Sequence, residues 1–289
     1  MVEPVRLTPL AWVRKILTYL FLGFWSVTVV FPMLWGMMSA LKSDQEIFFS
    51  PWAPPKTLLF ENFVRAWNVA QFGAFFFNTL IVLVPSLFFT ILLAAMAAYV
   101  LARFEFRGRE FLFYMFLTGM MFPIFLGLVP LYLLMQELHL RNTFFGLILV
   151  YIAYSLPFSV FFLVGFFKTL PKELPEAAKI DGASQFQTFF QVMLPLAQPG
   201  LIPVAIFNVI GMWNQFILPA TLLTNEGLPE GQTRYVLSQG LYFLQSQQFY
   251  KNDWSALFAA VTMLMIPTLA IYIIFQDRIE KGMTVGAVK

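Results

Sequence analysis

Cysteine is absent and histidine occurs once, as His139. No disulfide framework and no thiolate metal site can form, and a single imidazole cannot make a histidine-rich metal site. Charge is scarce. Only 11% of the 289 residues are Asp, Glu, Lys or Arg, against about 25% in an ordinary soluble domain. Apolar residues make up 60%, with Phe alone at 36 positions. A compact soluble domain of this length cannot hide so much apolar surface, and a disordered chain has the opposite composition. The formal net charge is +3, from 18 Lys plus Arg against 15 Asp plus Glu, too small and too dispersed for a nucleic-acid partner. The solvent that suits this composition is a lipid bilayer.

What the chain does have is long stretches without charge. They run from Ile16 to Leu41, Ala66 to Ala102, Phe111 to Gln136, Asn142 to Phe167, Gly182 to Asn225 and Trp254 to Gln276. A helix crosses the hydrocarbon with about 20 apolar residues, so every run can span. The second and fifth runs begin with polar stretches, which trims them. The expected fold is all-α and polytopic: one domain over 1–289, with six transmembrane helices near 16–41, 76–102, 111–136, 144–167, 201–223 and 254–276. Continuous apolar stretches such as Leu80 to Val84 exclude barrel strands, which alternate. The first run follows Arg14 and Lys15 but exceeds a signal-peptide core and lacks a clear small-x-small cleavage site. It is expected to stay as an anchored helix.

Six spans put both termini on one side. That side carries 12 of the 18 Lys and Arg, Arg103, Arg107, Arg109 and Lys168 among them. The positive-inside rule then places both termini, the loop after the second span and the loop after the fourth in the cytoplasm. No span contains an ionisable residue, which argues against an ion-coupled carrier. Prolines punctuate the spans instead: Pro32, Pro85, Pro123, Pro130, Pro157, Pro203, Pro219 and Pro267. Each removes a helical hydrogen bond and favours a kink. The polar residues in or near the spans include Asn78, Gln136, Asn208, Trp213, Asn214 and Gln215. Two roles fit them: hydrogen bonds between helices, or a translocation path in which amides and an indole meet a neutral polyhydroxy solute.

The stretch from Pro171 to Pro199 is too polar to span and too apolar on one side to float free. Pro175 suits the first position of a short helix, and Glu176 then sits near the positive end of its dipole. Ala177 and Ala178 leave a smooth face, and Gly182 suits a left-handed turn. Ser184 and Gln187 have capping-box spacing for a second helix. Phe186, Phe189, Phe190 and Met193 form an apolar stripe at helical spacing, and Pro195 and Pro199 are expected to end that helix. The stripe requires a protein groove, in this chain or in a partner.

Glu176-Ala177-Ala178, three residues, Gly182, nine residues, then Val192-Met193-Leu194-Pro195 closely resembles the EAA motif of ABC importer permeases. Val192 stands where Ile is commoner. The likeness extends over nearly the whole chain. Leu41-Lys42-Ser43 with Glu46-Ile47, Ala98 to Phe104 with Phe106-Arg107-Gly108-Arg109, Trp213-Asn214-Gln215-Phe216 and the tail from Lys281 to Lys289 resemble the maltose-permease-like subunits of carbohydrate uptake transporters. The resemblance implies a type I importer fold in a bacterial or archaeal cell membrane. It implies a second, different permease subunit, two cytoplasmic ATPases that bind ATP and Mg, and an extracytoplasmic solute-binding protein. It also implies that Glu176, Ala177, Ala178, Asp181, Gly182, Leu194 and Pro195 belong to a coupling helix docked in an ATPase cleft. The tail over 277–289, with Lys281, Gly282 and Gly286, would reach the ATPase interface.

The implied solute is a sugar or oligosaccharide, with glycerol-phosphate or another polyol as the alternative. An ion-driven secondary carrier would need intramembrane charges or an inverted repeat. A membrane enzyme would need an acidic or histidine cluster near an interface, and Glu173, Glu176 and Asp181 make the one cytoplasmic candidate. No glycine precedes a lysine anywhere in the chain, so the Gly-Lys of a P-loop is missing. The chain carries no cofactor motif of its own, and energy must come from a partner or a gradient. The purified chain without partners is therefore expected to hydrolyse no ATP; appreciable turnover in a phosphate-release assay would overturn this reading.

Overall fold

The structure is a computed structural model that describes the backbone of residues 9–251 and 253–285, and the side chains of 10–246 and 253–277. Among the described residues all regular structure is helical. In chain order the elements are α1 (Pro9–Ser39), α2 (Asp44–Phe49), α3 (Glu61–Asn68), α4 (Phe72–Arg103), α5 (Arg109–Met121), α6 (Ile124–Glu137) and α7 (Phe144–Thr169). Then come α8 (Glu173–Ile180), α9 (Gln185–Gln187), a π-helical segment (Thr188–Met193), α10 (Leu194–Leu196), α11 (Gln198–Asn214), α12 (Ile217–Leu222), α13 (Leu237–Lys251) and α14 (Trp254–Val285).

Four helices are long and apolar enough to cross a bilayer unbroken: Leu10–Ser39, Phe72–Arg103, Phe144–Thr169 and Trp254–Asp277. The expected third span, 111–136, is not one helix. α5 and α6 meet at 102°. Pro123 supplies no N–H and forces Phe122 out of the helical region, to φ −74° and ψ 118°. The expected fifth span, 201–223, also differs. α11 begins at Gln198, stops at Asn214, and leaves Gln215 extended before α12. Pro219 explains the stop, since in a continued helix its ring would strike the Gln215 carbonyl. The other six prolines named above lie inside continuous helices.

The residues fold as two compact units. One combines Met1–Ala70 with Leu244–Met263, and the other Gln71–Phe243 with Leu264–Lys289. In the first unit α1 buries nothing along its membrane-length window. Order is built just beyond its end. Lys42 is wholly buried and donates from Nζ to the carbonyls of Ser50 (3.1 Å) and Pro51 (2.9 Å). Trp35 donates to the same Pro51 carbonyl at 2.8 Å. Asn62 donates to the carbonyls of Ala40 and Lys42, each at 2.9 Å. Arg65 grips both oxygens of Asp253, at 2.7 and 2.9 Å, and Asp44 accepts from the Ser255 N–H at 2.8 Å. Ser43 and Glu46 close a capping box on α2. The N–H groups of Ser43 and Lys56 stabilise the ionised Glu46 carboxyl and hold it below the usual range.

In the second unit α4 and α7 form the central pair. Ala94, Ala95 and Ala98 on α4 meet Val160, Leu163, Val164 and Phe167 on α7. Small residues let the backbones approach closely. α11 joins through Asn208, whose amide donates to Ser159 Oγ of α7 at 2.9 Å, and through Gly200, where a Cβ would overlap the Phe166 ring.

Lys42→Met keeps the apolar stem but leaves the Ser50 carbonyl without its buried donor. Stability is expected to fall by about 1–3 kcal/mol, read as a lower thermal unfolding midpoint of the purified chain in detergent. An unchanged midpoint would remove Lys42 from this role.

Candidate functional site

α7 hands directly to the motif segment. Leu170 is extended at the C-terminus of α7, and α8 begins three residues later at Glu173. Pro175 therefore sits third in the helix and not first, still within the turn that needs no N–H donors. Glu173 and Glu176 lie in the first turn, where the helix dipole favours carboxylates. Asp181 caps the other end. The Gly182 N–H bonds to the Lys179 carbonyl (3.0 Å) and the Ala183 N–H to the Ala178 carbonyl (2.9 Å), the paired bonds of a Schellman stop. Gly182 has φ +83° with no atom near its missing Cβ. The demand for glycine is conformational, not spatial. Ser184 then caps α9: its N–H bonds to Gln187 Oε1 at 2.8 Å, and the Gln187 N–H to its hydroxyl at 3.3 Å.

Pro195 does not end the second helix. Beyond α9 the chain widens into the π-helical segment, in which the Leu194 N–H reaches back to the Phe189 carbonyl. α10 carries the rod through Leu196, and a 75° bend leads into α11, with Pro199 in its first turn. The apolar stripe is divided. Phe189 and Met193 are buried in the core cluster, with the Phe189 ring 5.3 Å from the Tyr99 ring. Phe186 and Phe190 face outward, Phe186 being 69% exposed. On α8, Ala178 is buried while Glu176, Ala177 and Ile180 are exposed, Ile180 by 87%. Leu194 is half-buried and Pro195 exposed. One face of the helix–turn–helix is thus fastened to the ends of α4 and α7, and the other is uncovered in this chain. α14 includes Lys281 and Gly282 in its backbone, but their side chains, and all of Gly286, lie outside the described residues.

The polar residues of the spans separate by position. Asn208 is buried and borders a cavity of about 340 Å³. Trp213 is buried and donates to the Leu264 carbonyl at 3.2 Å. Asn78 donates to the carbonyls of Thr233 and Tyr235, each at 3.0 Å. Asn214 is exposed and bonds back to Ile210. None of these three borders the cavity. Its other polar groups are Tyr151, Tyr154, Ser155 and Gln215, set among Phe122, Phe158 and Phe207. Tyr151, Tyr154, Ser155 and Phe158 follow i, i+3, i+4, i+7 spacing, a helical face legible in the sequence but hidden there by the uniformly apolar run around it. Gly119 and Gly211 keep the walls low. Among the described residues no cluster of His, Asp or Glu could hold a metal ion.

Hydroxyls, amides and aromatic faces, with no carboxylate or cation, suit an uncharged polar molecule. Residues 90–285 match the family described as binding-protein-dependent transport system inner membrane component. The chain is 48% identical over 270 residues to the diacetylchitobiose uptake system permease protein NgcG of Streptomyces coelicolor, covering 93% of this chain and 87% of that one. It is 32% identical over 279 residues to the diacetylchitobiose uptake system permease protein DasC of the same organism, covering 96% of each. The fold matches the crystal structure of a bacterial ABC transporter involved in the import of the acidic polysaccharide alginate, with a TM-score of 0.78 at 20% identity, over 93% of this chain and 98% of that one. With its membrane-length helices and the family match over residues 90–285, the chain is a multi-pass membrane protein that belongs to the family of binding-protein-dependent transport system inner membrane components.

Proposed function

We propose that the chain is the permease subunit of an ATP-driven importer for a sugar or oligosaccharide. An extracytoplasmic solute-binding protein delivers the solute, a second and different permease subunit completes the path, and two ATPase subunits bind ATP and Mg. The chain lacks a P-loop lysine of its own, in keeping with hydrolysis by a partner. In this reading both termini and α8 lie on the cytoplasmic side.

The observation that carries the reading is the two-faced helix–turn–helix. Phe189 and Met193 fasten it to the core, while Glu176, Ala177, Ile180 and Phe186 stand uncovered together. A segment fastened on one side, with exposed Ile180 and Phe186 beside the Glu176 carboxylate on the other, is built to receive a partner and pass on its movement. ATPase closure would shift α8 as a lever. The shift would reach α4 and α7 through the buried rings, and α7 carries Tyr151 and Ser155 on the wall of the cavity. Asp181, Gly182, Leu194 and Pro195 set the geometry of the lever, and the Lys281 to Gly286 tail adds a second ATPase contact. Asn208 borders the path, Asn78 and Trp213 hold a loop and a helix around it, and Asn214 stands exposed at the end of α11. The cavity lining supports a neutral solute, and the diacetylchitobiose relatives support an oligosaccharide.

Glu176→Lys reverses a charge on the uncovered face. Gly182→Pro is incompatible with φ +83°. In the transporter purified with its partners and reconstituted in vesicles, either change is expected to lower ATP-driven uptake by about tenfold or more, the size of one lost charged or strained contact. Membrane insertion should be unchanged. Wild-type uptake in either variant would reject the coupling role.

A further inference from the structure

A second cavity, of about 420 Å³, lies between α8 and the ends of the central helices. Five cations border it: Arg103 in the last turn of α4, Arg109 at the start of α5, Lys168 in the last turn of α7, and Lys172 and Lys179 on either side of Pro175. Only Glu105 and Glu176 oppose them there. The excess equals the formal net charge of the whole chain. These groups do not pair with one another: the ion pair found among the described residues, Arg65 with Asp253, belongs to the other unit. Arg103 donates from Nη2 to the Leu170 carbonyl, yet its Nε is buried without an acceptor. A guanidinium N–H shut away from water is costly unless an oxygen meets it. Lys168 is set over the face of Phe113, 5.7 Å from the ring centre.

These features call for an anion with several oxygens, and phosphate matches guanidinium and ammonium donors best. The neighbouring surface selects its source. No residue of α5 is buried, and Phe111, Tyr114 and Met115 are exposed along it, starting two residues from Arg109. A free phosphate would use the cations and ignore this apolar face; an amphiphile uses both. Basic pockets at the ends of membrane helices are suited to anionic lipid heads. We propose that this cavity binds the phosphodiester head of an anionic phospholipid, with its acyl chains along α5. Because Glu176 and Lys179 of α8 share the border, the bound lipid ties the position of α8 to the membrane surface.

The test uses the full chain in neutral detergent, with lipid retention read by native mass spectrometry after addition of phosphatidylglycerol, phosphatidylcholine or inorganic phosphate. The expected result is one retained phosphatidylglycerol per chain, favoured over phosphatidylcholine by about tenfold or more. Lys168→Gln with Lys172→Gln, both at exposed positions, should abolish the preference. Arg103→Lys, which keeps the charge but loses the fork, should weaken it. Arg107→Gln, exposed and outside the cavity, should leave it unchanged. Equal retention of the two lipids, or a preference that survives in the double variant, overturns the proposal. Complete displacement of phosphatidylglycerol by millimolar inorganic phosphate would make this a free-phosphate site and also overturn it. Loss of the lipid when the chain is purified with an ATPase partner would assign the cations to that interface and reject the lipid site as well.

Discussion

Ala94, Ala95 and Ala98 remove side-chain bulk from one face of α4, and α7 closes on that face through Val160, Leu163, Val164 and Phe167. In a medium as apolar as the helices, no hydrophobic force drives such a pairing. It rests on dispersion contacts that need close backbone approach. The rest of the second unit is arranged on it. Phe189 and Met193 seat on the end of this pair, Asn208 hooks α11 to α7 through Ser159, and α5 packs along α7. Enlarging any of the three alanines would move all of these at once.

The same pairing explains how a surface loop can be both firm and available. Helices as short as α8 are marginal alone. Here the short helix is held by a Schellman stop at Gly182, a capping box at Ser184 and the seating of two side chains from the next rod. The uncovered residues therefore do not have to be ordered when a partner arrives. Binding that finds its surface already arranged loses less conformational entropy.

Much of this was legible in the sequence, for identifiable reasons. Charge-free runs are a strong signal because a bilayer tolerates few exceptions: four of the six hold unbroken helices of membrane length and the third a bent pair, while in the fifth the bent pair joins the Gln185–Leu196 rod to α11 and does not cover 201–223. Gly182, Ser184 and Gln187 announced a turn because their local chemistry dictates it. Proline was less informative. Of eight in or near the spans, only Pro123 and Pro219 mark interruptions, and which prolines a helix absorbs depends on neighbours that a linear reading does not contain. The division of the aromatic stripe was also hidden, since Phe186 and Phe189 differ by which one faces Tyr99. Lys42 stood in the sequence only as part of the Leu41-Lys42-Ser43 likeness, with no sign of burial. Its burial depends on carbonyls eight and nine residues away.

The two interruptions have a shared position. Phe122, at the break between α5 and α6, and Gln215, at the break between α11 and α12, both border the cavity that holds Asn208 and Tyr151. A broken helix frees backbone carbonyls, and hydrocarbon offers them no donor. Broken backbone at membrane depth persists where water or a polar guest can reach it. The two prolines thus set two helix ends, where the helical ladder stops, beside the residues that border this cavity. The character of this cavity then depends on where the helices are interrupted as well as on which side chains line it.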